Sequence, residues 1–292
     1  MAQRSLNIRV VFLHNAFLFC ICAAQVFAQS VWILPEESSS IRIEYLKPSF
    51  PKEGEFSGLQ NSTVSIVSIY GRAKLFDNFF AKCELPYMQV KITYPPYYEF
   101  TKIEESGIAN ILLGFDYKTS SNSFIECNAR IPTMPEKKGT MIIVGLLGDL
   151  ERWEAYIPKQ TMLTLAGNFI RQFESGIVTK VRFAPSALFA GSDREYKGGK
   201  KTAFIFDASG GIGYIDKNFD LGFNLTSRSA ISPDDLVFNN DQTQVNLGVG
   251  AGFKFQSGRL GVYYRKFIED KDRKIQPNDG VLGINLAYNF ID

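Results

Sequence analysis

The sequence predicts an all-β fold: a transmembrane antiparallel up-and-down β-barrel of about twelve strands, closed by pairing the first strand with the last. Three observations carry this. About twelve segments between Ser40 and Asp292 have strand periodicity, their connections alternate between tight turns and long loops, and apolar residues alternate with polar ones along them. A sheet that crosses a bilayer repeatedly needs only tight turns on one side and can carry long loops on the other. Its strands set apolar side chains outside and polar ones inside.

The chain of 292 residues opens with a segment that predicts export. Arg4 and Arg9 precede an apolar run, Val10–Ala24, and Val26-Phe27-Ala28 forms a small-residue cleavage site ahead of Gln29. The run is broken by His14 and Asn15 and is too short to span a bilayer, which takes roughly 20 apolar residues. Residues 1–28 are therefore expected to be a cleaved signal peptide, 29–38 a short periplasmic lead-in, and 39–292 the barrel domain, with both termini periplasmic. Cleavage removes two of the 32 basic residues, leaving 30 against 30 acidic ones, and takes away the one histidine of the chain. A formal charge of zero argues against a nucleic-acid partner, which needs uncompensated Lys and Arg to displace counterions. No later apolar run is long enough for a spanning helix, so any crossing must be made by strands.

Taken in order, the tight turns fall at Asp77-Asn78, Ser120-Ser121-Asn122, Glu174-Ser175-Gly176, Asp216-Lys217-Asn218 and Ser257-Gly258-Arg259. Long loops fall near 51–62, 91–106, 134–160, 192–201, 231–242 and 269–279. Between them, Ile125, Cys127, Ala129 and Ile131 alternate with Glu126, Asn128 and Arg130. Val181, Phe183, Ala187 and Phe189 alternate with Lys180, Arg182 and Ser186, and Leu221, Phe223 and Leu225 with Asp220, Asn224 and Thr226. The last strand, Leu282–Phe290, is expected to pair with Ile41–Leu46 and remove both sheet edges. Tyr45, Tyr70, Phe76, Phe79, Phe80, Tyr117, Tyr214, Phe219, Tyr263 and Tyr264 lie near strand ends, where an interfacial girdle belongs. Cys83 and Cys127 alternate with apolar neighbours and predict small lipid-facing hydrophobes on strands that are not adjacent.

The segment 136–160 breaks the pattern. Thr140–Leu147 is almost continuously apolar, and Leu146, Leu150, Trp153 and Ile157 recur at helical spacing. A short amphipathic helix in the longest loop is expected, placed to form a constriction. The alternative, a strand over 140–147, would make the strand count odd.

Gly107-Ile-Ala-Asn-Ile-Leu-Leu-Gly-Phe-Asp-Tyr-Lys118, a tight turn, and then Asn128-Ala-Arg-Ile-Pro-Thr133 together resemble the outer-membrane transporters associated with phenol-degradation pathways. That family shows a Leu-Gly-x-Lys/Asp-Tyr strand, a short turn and a returning strand ending in Leu-Pro-Thr. The chain departs from it at Ile108, where an Asp is usual, and at Met134, where a Gly is usual. The resemblance covers about a tenth of the chain. It implies a secreted barrel that moves small molecules, hydrophobic or aromatic ones among them.

Enzymatic function is disfavoured. Without histidine in the processed chain, Ser-His-Asp and Cys-His chemistry is excluded, and imidazole metal sites go with it. Glu84 and Glu126 could in principle form an acid-base pair, but inward acids paired with lumenal Arg and Lys is the better expectation. Ser209-Gly-Gly-Ile-Gly213 and Gly248-Val-Gly-Ala-Gly252 open no helix, and Gly198-Gly-Lys-Lys-Thr202 lacks phosphate-loop spacing. Asp234, Asp235, Asn239, Asn240 and Asp241 read as a solvated loop. No cofactor or metal is called for, and the expected partners are outer-membrane lipid and a small-molecule solute. Tyr94, Tyr97, Tyr98 and Phe100 could form an aromatic platform at the mouth.

By alternation, a set of charges points inward. Arg72, Lys74, Lys82, Glu84, Glu126, Arg130, Lys180, Arg182, Asp220 and Arg265 are the candidate filter, with Arg42, Glu44, Asp116, Lys118, Asp207 and Arg228 beside them. At about twelve strands the interior is intermediate between filled and open. If opposite charges interlock and the 136–160 loop folds in, the barrel is closed or gated. If they segregate, a narrow aqueous path remains. A passive channel or transporter is the first expectation, a closed structural or surface-interaction barrel the second, and a barrel enzyme the third.

Overall fold

The computed structural model describes residues 38–50, 59, 62–93, 102–191, 201–231, 243–268 and 278–290. The expected signal peptide, most of the lead-in, the Tyr94–Phe100 platform and the 234–241 acidic loop lie outside the described residues. The first six strands are β1 (Ser40–Ser49), β2 (Thr63–Phe76), β3 (Phe79–Thr93), β4 (Lys102–Ile108), β5 (Ile111–Ser120) and β6 (Ser123–Ile131). After a long connection come β7 (Gln160–Gln172), β8 (Ile177–Ala190), β9 (Thr202–Ile215) and β10 (Phe219–Ala230). The sheet ends with β11 (Thr243–Phe255), β12 (Gly258–Ile268) and β13 (Gly280–Asn289).

These strands form one closed antiparallel barrel. β1 pairs with β13 from Ser40↔Asn289 to Ser49↔Gly280, so no edge is left where the chain's two ends meet. The thirteen strands make twelve staves. Leu112 of β5 pairs with Glu84 of β3, and Ile108 of β4 pairs with Tyr87 of the same strand. Residues 109–111 thus face only 85 and 86, a β-bulge that interrupts one stave and adds none. The strand ends joined by tight turns lie at one end of the barrel, and those joined by the long connections at the other. The last tight turn is Gln256-Ser257, with Gln256 in the left-handed region at φ 42°. The loop expected over 91–106 is shorter than that, because β3 continues to Thr93 and β4 begins at Lys102.

The outer wall carries the apolar alternation: Leu165, Phe223, Phe253 and Ile284 are all exposed on it, and so are both free cysteines. In water this belt would be unfavourable; against lipid it needs no cover. Polarity along β3 reverses towards the long-loop end. Lys82 and Glu84 face inward on the short-turn side, whereas beyond Pro86 the inward residues are Met88, Val90 and Ile92, with Gln89 and Lys91 exposed outside. The register is unbroken, so the strand has left the apolar belt rather than turned over.

Three aromatics expected in the girdle are inside instead. Tyr70, Phe80 and Tyr263 share the inward parity of Arg72, Lys82 and Arg265, and parity outranks closeness to a strand end. The 136–160 segment is helical, but not as one helix. α1 (Gly139–Gly148) stops at Asp149, whose φ/ψ of −137°/70° breaks the ladder, and a 3-10 segment follows over Leu150–Tyr156. The 3-10 segment folds back so closely that a Cβ at Gly145 would run into the Tyr156 ring. Leu146 and Ile157 therefore sit on different pieces of backbone.

Candidate functional site

The long connection between β6 and β7 folds into the lumen and plugs its long-loop half. Met141, Val144, Leu147, Ala155 and Tyr156 pack on the inward Leu46, Ile66, Met88, Val90 and Ile92. Trp153 and Ile157 pack on Met162, Leu188 and Ile205 from the opposite wall, with Leu146 against them. This is why β3 changes polarity: its inner face there meets an apolar plug, not water.

The plug is tied to the wall at the bulge. Asn110, fully buried, projects inward where the stave is interrupted. Its Nδ2 donates to the Glu154 carbonyl at 3.0 Å and the Ile157 carbonyl at 2.6 Å. Its Oδ1 accepts from the backbone N–H groups of Thr133 and Met134, each at 3.0 Å. Its own backbone N–H donates to the Ala155 carbonyl at 2.8 Å. Two further side chains satisfy helix ends that would otherwise be orphaned. Glu105 accepts from the Met141 N–H at 2.9 Å, and Asn278 donates to the Leu147 carbonyl at 2.6 Å.

A ring of ion pairs lies between plug and wall. On the plug, Arg152 reaches the wall carboxylates of Glu44 at 2.7 Å and Glu84 at 3.3 Å, and Asp149 at 2.7 Å. Glu154 meets Arg228 at 2.8 Å and Arg130 at 3.6 Å, while Arg265 contacts Glu151 and, at 3.3 Å, Asp149. Arg130 also pairs with Glu84 at 2.7 Å, and Arg228 with Asp207 at 2.5 Å. Tyr263 and Tyr70 both donate to the Glu44 carboxylate, at 2.6 and 3.0 Å. Buried pairs like these add little net stability over apolar packing but make any single loss costly. Six carboxylates here contact four guanidiniums. Asp149 lies on the plug, outside the spanning strands. Burial and the nearby Glu151, Glu44 and Glu84 push its carboxyl up to about 8, against the pull of Arg265.

Below the plug, the short-turn half of the lumen holds a cavity of about 490 Å³ that runs from Arg152 and Arg130 down to the turn at Gln256–Gly258. Its wall carries a second network: Arg72–Asp116 at 3.0 Å, Lys82 to Asp116 and Glu126 at 2.6 Å each, and Arg182 Nε to Glu126 at 3.0 Å. Arg259 holds Asp220 at 2.6 Å.

The structure therefore brings Arg72, Lys82, Glu126, Lys180, Arg182 and Asp220 to the cavity, and divides Glu84, Arg130 and Arg265 to the plug interface above it. Glu84 and Glu126 serve separate networks, each held by cations. Lys74 stands apart at the short-turn rim, 3.9 Å from Asp77. Leu150, Trp153 and Ile157 are buried in the plug. Asn110, Glu105, Asn278 and the plug's own Asp149, Glu151, Arg152 and Glu154 escaped sequence reasoning. For Asn110 a signal existed: it and Thr133 lie in the two segments, 107–118 and 128–133, singled out in the sequence, and the Thr133 Oγ1 donates to the Ala109 carbonyl at 2.7 Å.

No family model and no curated protein matches the chain. Solved structures do match it in fold. An outer-membrane channel from Pseudomonas putida F1 superposes with a TM-score of 0.56 at 11% identity, over 90% of this chain and 99% of that one. LpxR from Salmonella typhimurium gives 0.52 at 9% identity, over 86% and 100%. The NanC porin gives 0.50 at 9% identity, over 87% and 100%. The fold is that of an outer-membrane β-barrel.

Proposed function

We propose that this chain is an outer-membrane channel for small solutes whose lumen is gated by the plug of residues 132–159. The carrying observation is the division of the lumen: a packed, latched segment fills one half, while the other keeps a charged cavity reaching the short-turn mouth. The channel and porin among the fold neighbours support it. The resemblance of 107–118 and 128–133 to phenol-pathway transporters supports small-molecule cargo, and the export signal expected over residues 1–28 supports an outer-membrane location with the tight turns periplasmic. In this reading the lower-cavity charges are the filter and the plug is the constriction.

A closed structural barrel is the second reading, favoured by the same extensive plug contacts. An enzyme remains third: LpxR, which shares the fold, is an enzyme, but this chain's one histidine lies in the expected signal. Planar-bilayer recording separates the first two. Replacing residues 139–156 by a short Gly-Ser linker should leave the strands paired, since their hydrogen bonds run wall to wall, and should convert rare openings into steady conductance. Silence from that refolded variant would refute the channel.

A further inference from the structure

The lower cavity is cationic beyond what its carboxylates balance. Among the described residues lining it, nine are Arg or Lys and four are Asp or Glu; without Arg130, Arg152 and Glu84, which it shares with the plug interface, the ratio is seven to three. The processed chain as a whole is expected to be neutral, so the excess belongs to this place. Charge confined within low-dielectric walls focuses its field along the lumen.

Several cationic donors there are unfilled. Arg182 is only 6% exposed, and while its Nε holds Glu126, its Nη1 and Nη2 have no hydrogen-bond partner among the described residues. Among the described residues, Arg152 Nη2 and Arg42 Nε, from the roof and the facing wall, likewise find no partner. The Arg42 Cζ lies 3.9 Å from the centre of the Tyr70 ring, a cation–π contact that consumes none of its N–H donors. A buried guanidinium with two open donors is matched by an oxyanion, which accepts both N–H groups side by side.

The same cavity has an apolar flank. The register places Ile170 directly beside Lys180, and Phe124 beside Asn168, which is itself paired with Arg182. Ile170, Phe124 and Ile215 all line the cavity. Its volume falls within the range of roughly 300–1,000 Å³ that organic ligands occupy.

We propose that the lower cavity is a binding site for a small organic oxyanion, whose charged group is held by Arg182 and Arg42 and whose apolar body lies against Phe124, Ile170 and Ile215. The site deepens the channel reading, on which it rests for its role in traffic, by naming the class of solute; binding itself is measurable on the closed barrel.

The test is isothermal titration of the full-length processed protein in nonionic detergent at low ionic strength. Three probes are used: isophthalate, inorganic phosphate and benzyl alcohol. Isophthalate is expected to bind, with phosphate and benzyl alcohol each at least about tenfold weaker, the difference one good polar or apolar contact set makes. Arg182→Gln and Arg42→Gln should each weaken isophthalate by about tenfold or more. The second variant guards against misfolding in the first, because Arg42 rests on an aromatic ring. Failure of isophthalate to bind, equal binding of phosphate or benzyl alcohol, or indifference to both substitutions would each overturn the proposal. The plug-excised barrel then separates the two claims. If it conducts with a reversal potential favouring potassium over chloride, the channel stands and the anion site falls. If it never conducts but isophthalate binds, the site stands and the channel falls.

Discussion

Replacing Asn110 by Ala should loosen the plug without opening the barrel wall. The side chain makes four hydrogen bonds to plug backbone, two donated and two accepted. At about 0.5–1.5 kcal/mol net each, their loss amounts to roughly 2–6 kcal/mol. Water can enter the vacated volume and re-solvate part of the set, which favours the lower half of that range, about 3 kcal/mol. The wall keeps its own bond, since the backbone carbonyl of Asn110 still accepts from Arg130 at 2.9 Å, and the Asn110 N–H to Ala155 bond remains as a residual tie to the plug. Native-state hydrogen exchange of the α1 amides reads plug undocking directly as a protection factor. A loss of about 3 kcal/mol lowers protection by about two orders of magnitude, while β7–β13 amides keep theirs. If α1 protection in the variant stayed within a factor of three of the parent, the bulge would not be the latch. Equal loss in plug and wall would refute the independence of the two.

Other outcomes follow from the same contacts. Arg130→Met should destabilise docking by about 3 kcal/mol, the low end for breaking a buried pair because Arg152 still holds Glu84 at 3.3 Å, and adding Glu84→Gln should restore part of it, which a double-mutant cycle on α1 protection measures. Asp149 favours its protonated form in the docked plug, so docking is strongest near the ordinary Asp range of about 4 and weakens as pH rises to about 8, levelling above it. Protection factors should fall by up to about tenfold per pH unit between pH 6 and 8, and Asp149→Asn should abolish that slope. On the outer wall, Leu165→Arg should cost about 2–4 kcal/mol in vesicle-folding titrations if it faces mid-bilayer lipid. Gln89→Arg, beyond the polarity reversal of β3, should stay within about 0.5 kcal/mol.

What the amino-acid sequence determined by itself is the wall. Two-residue periodicity decides which side chain faces which way, and turn length decides which end a connection lies at; both are local properties. Hence the twelve staves, the β1–β13 closure, the lipid-facing Cys83 and Cys127 and the inward Arg72, Glu84, Glu126 and Arg182 were all legible. The same parity would have placed Tyr70, Phe80 and Tyr263 inside, had it been applied before nearness to a strand end. What only the tertiary structure decided is what fills the wall. Ion partners such as Arg265 with Glu151, or Tyr263 with Glu44 across 219 positions, depend on the circumference of a closed sheet, which no local pattern encodes. The inward Met88, Val90 and Ile92 break the polar-inside rule because a segment some fifty residues downstream packs on them. Asn110 is the sharpest case: one extra residue in a stave, invisible as periodicity, turns an ordinary side chain into the point where wall and plug are joined.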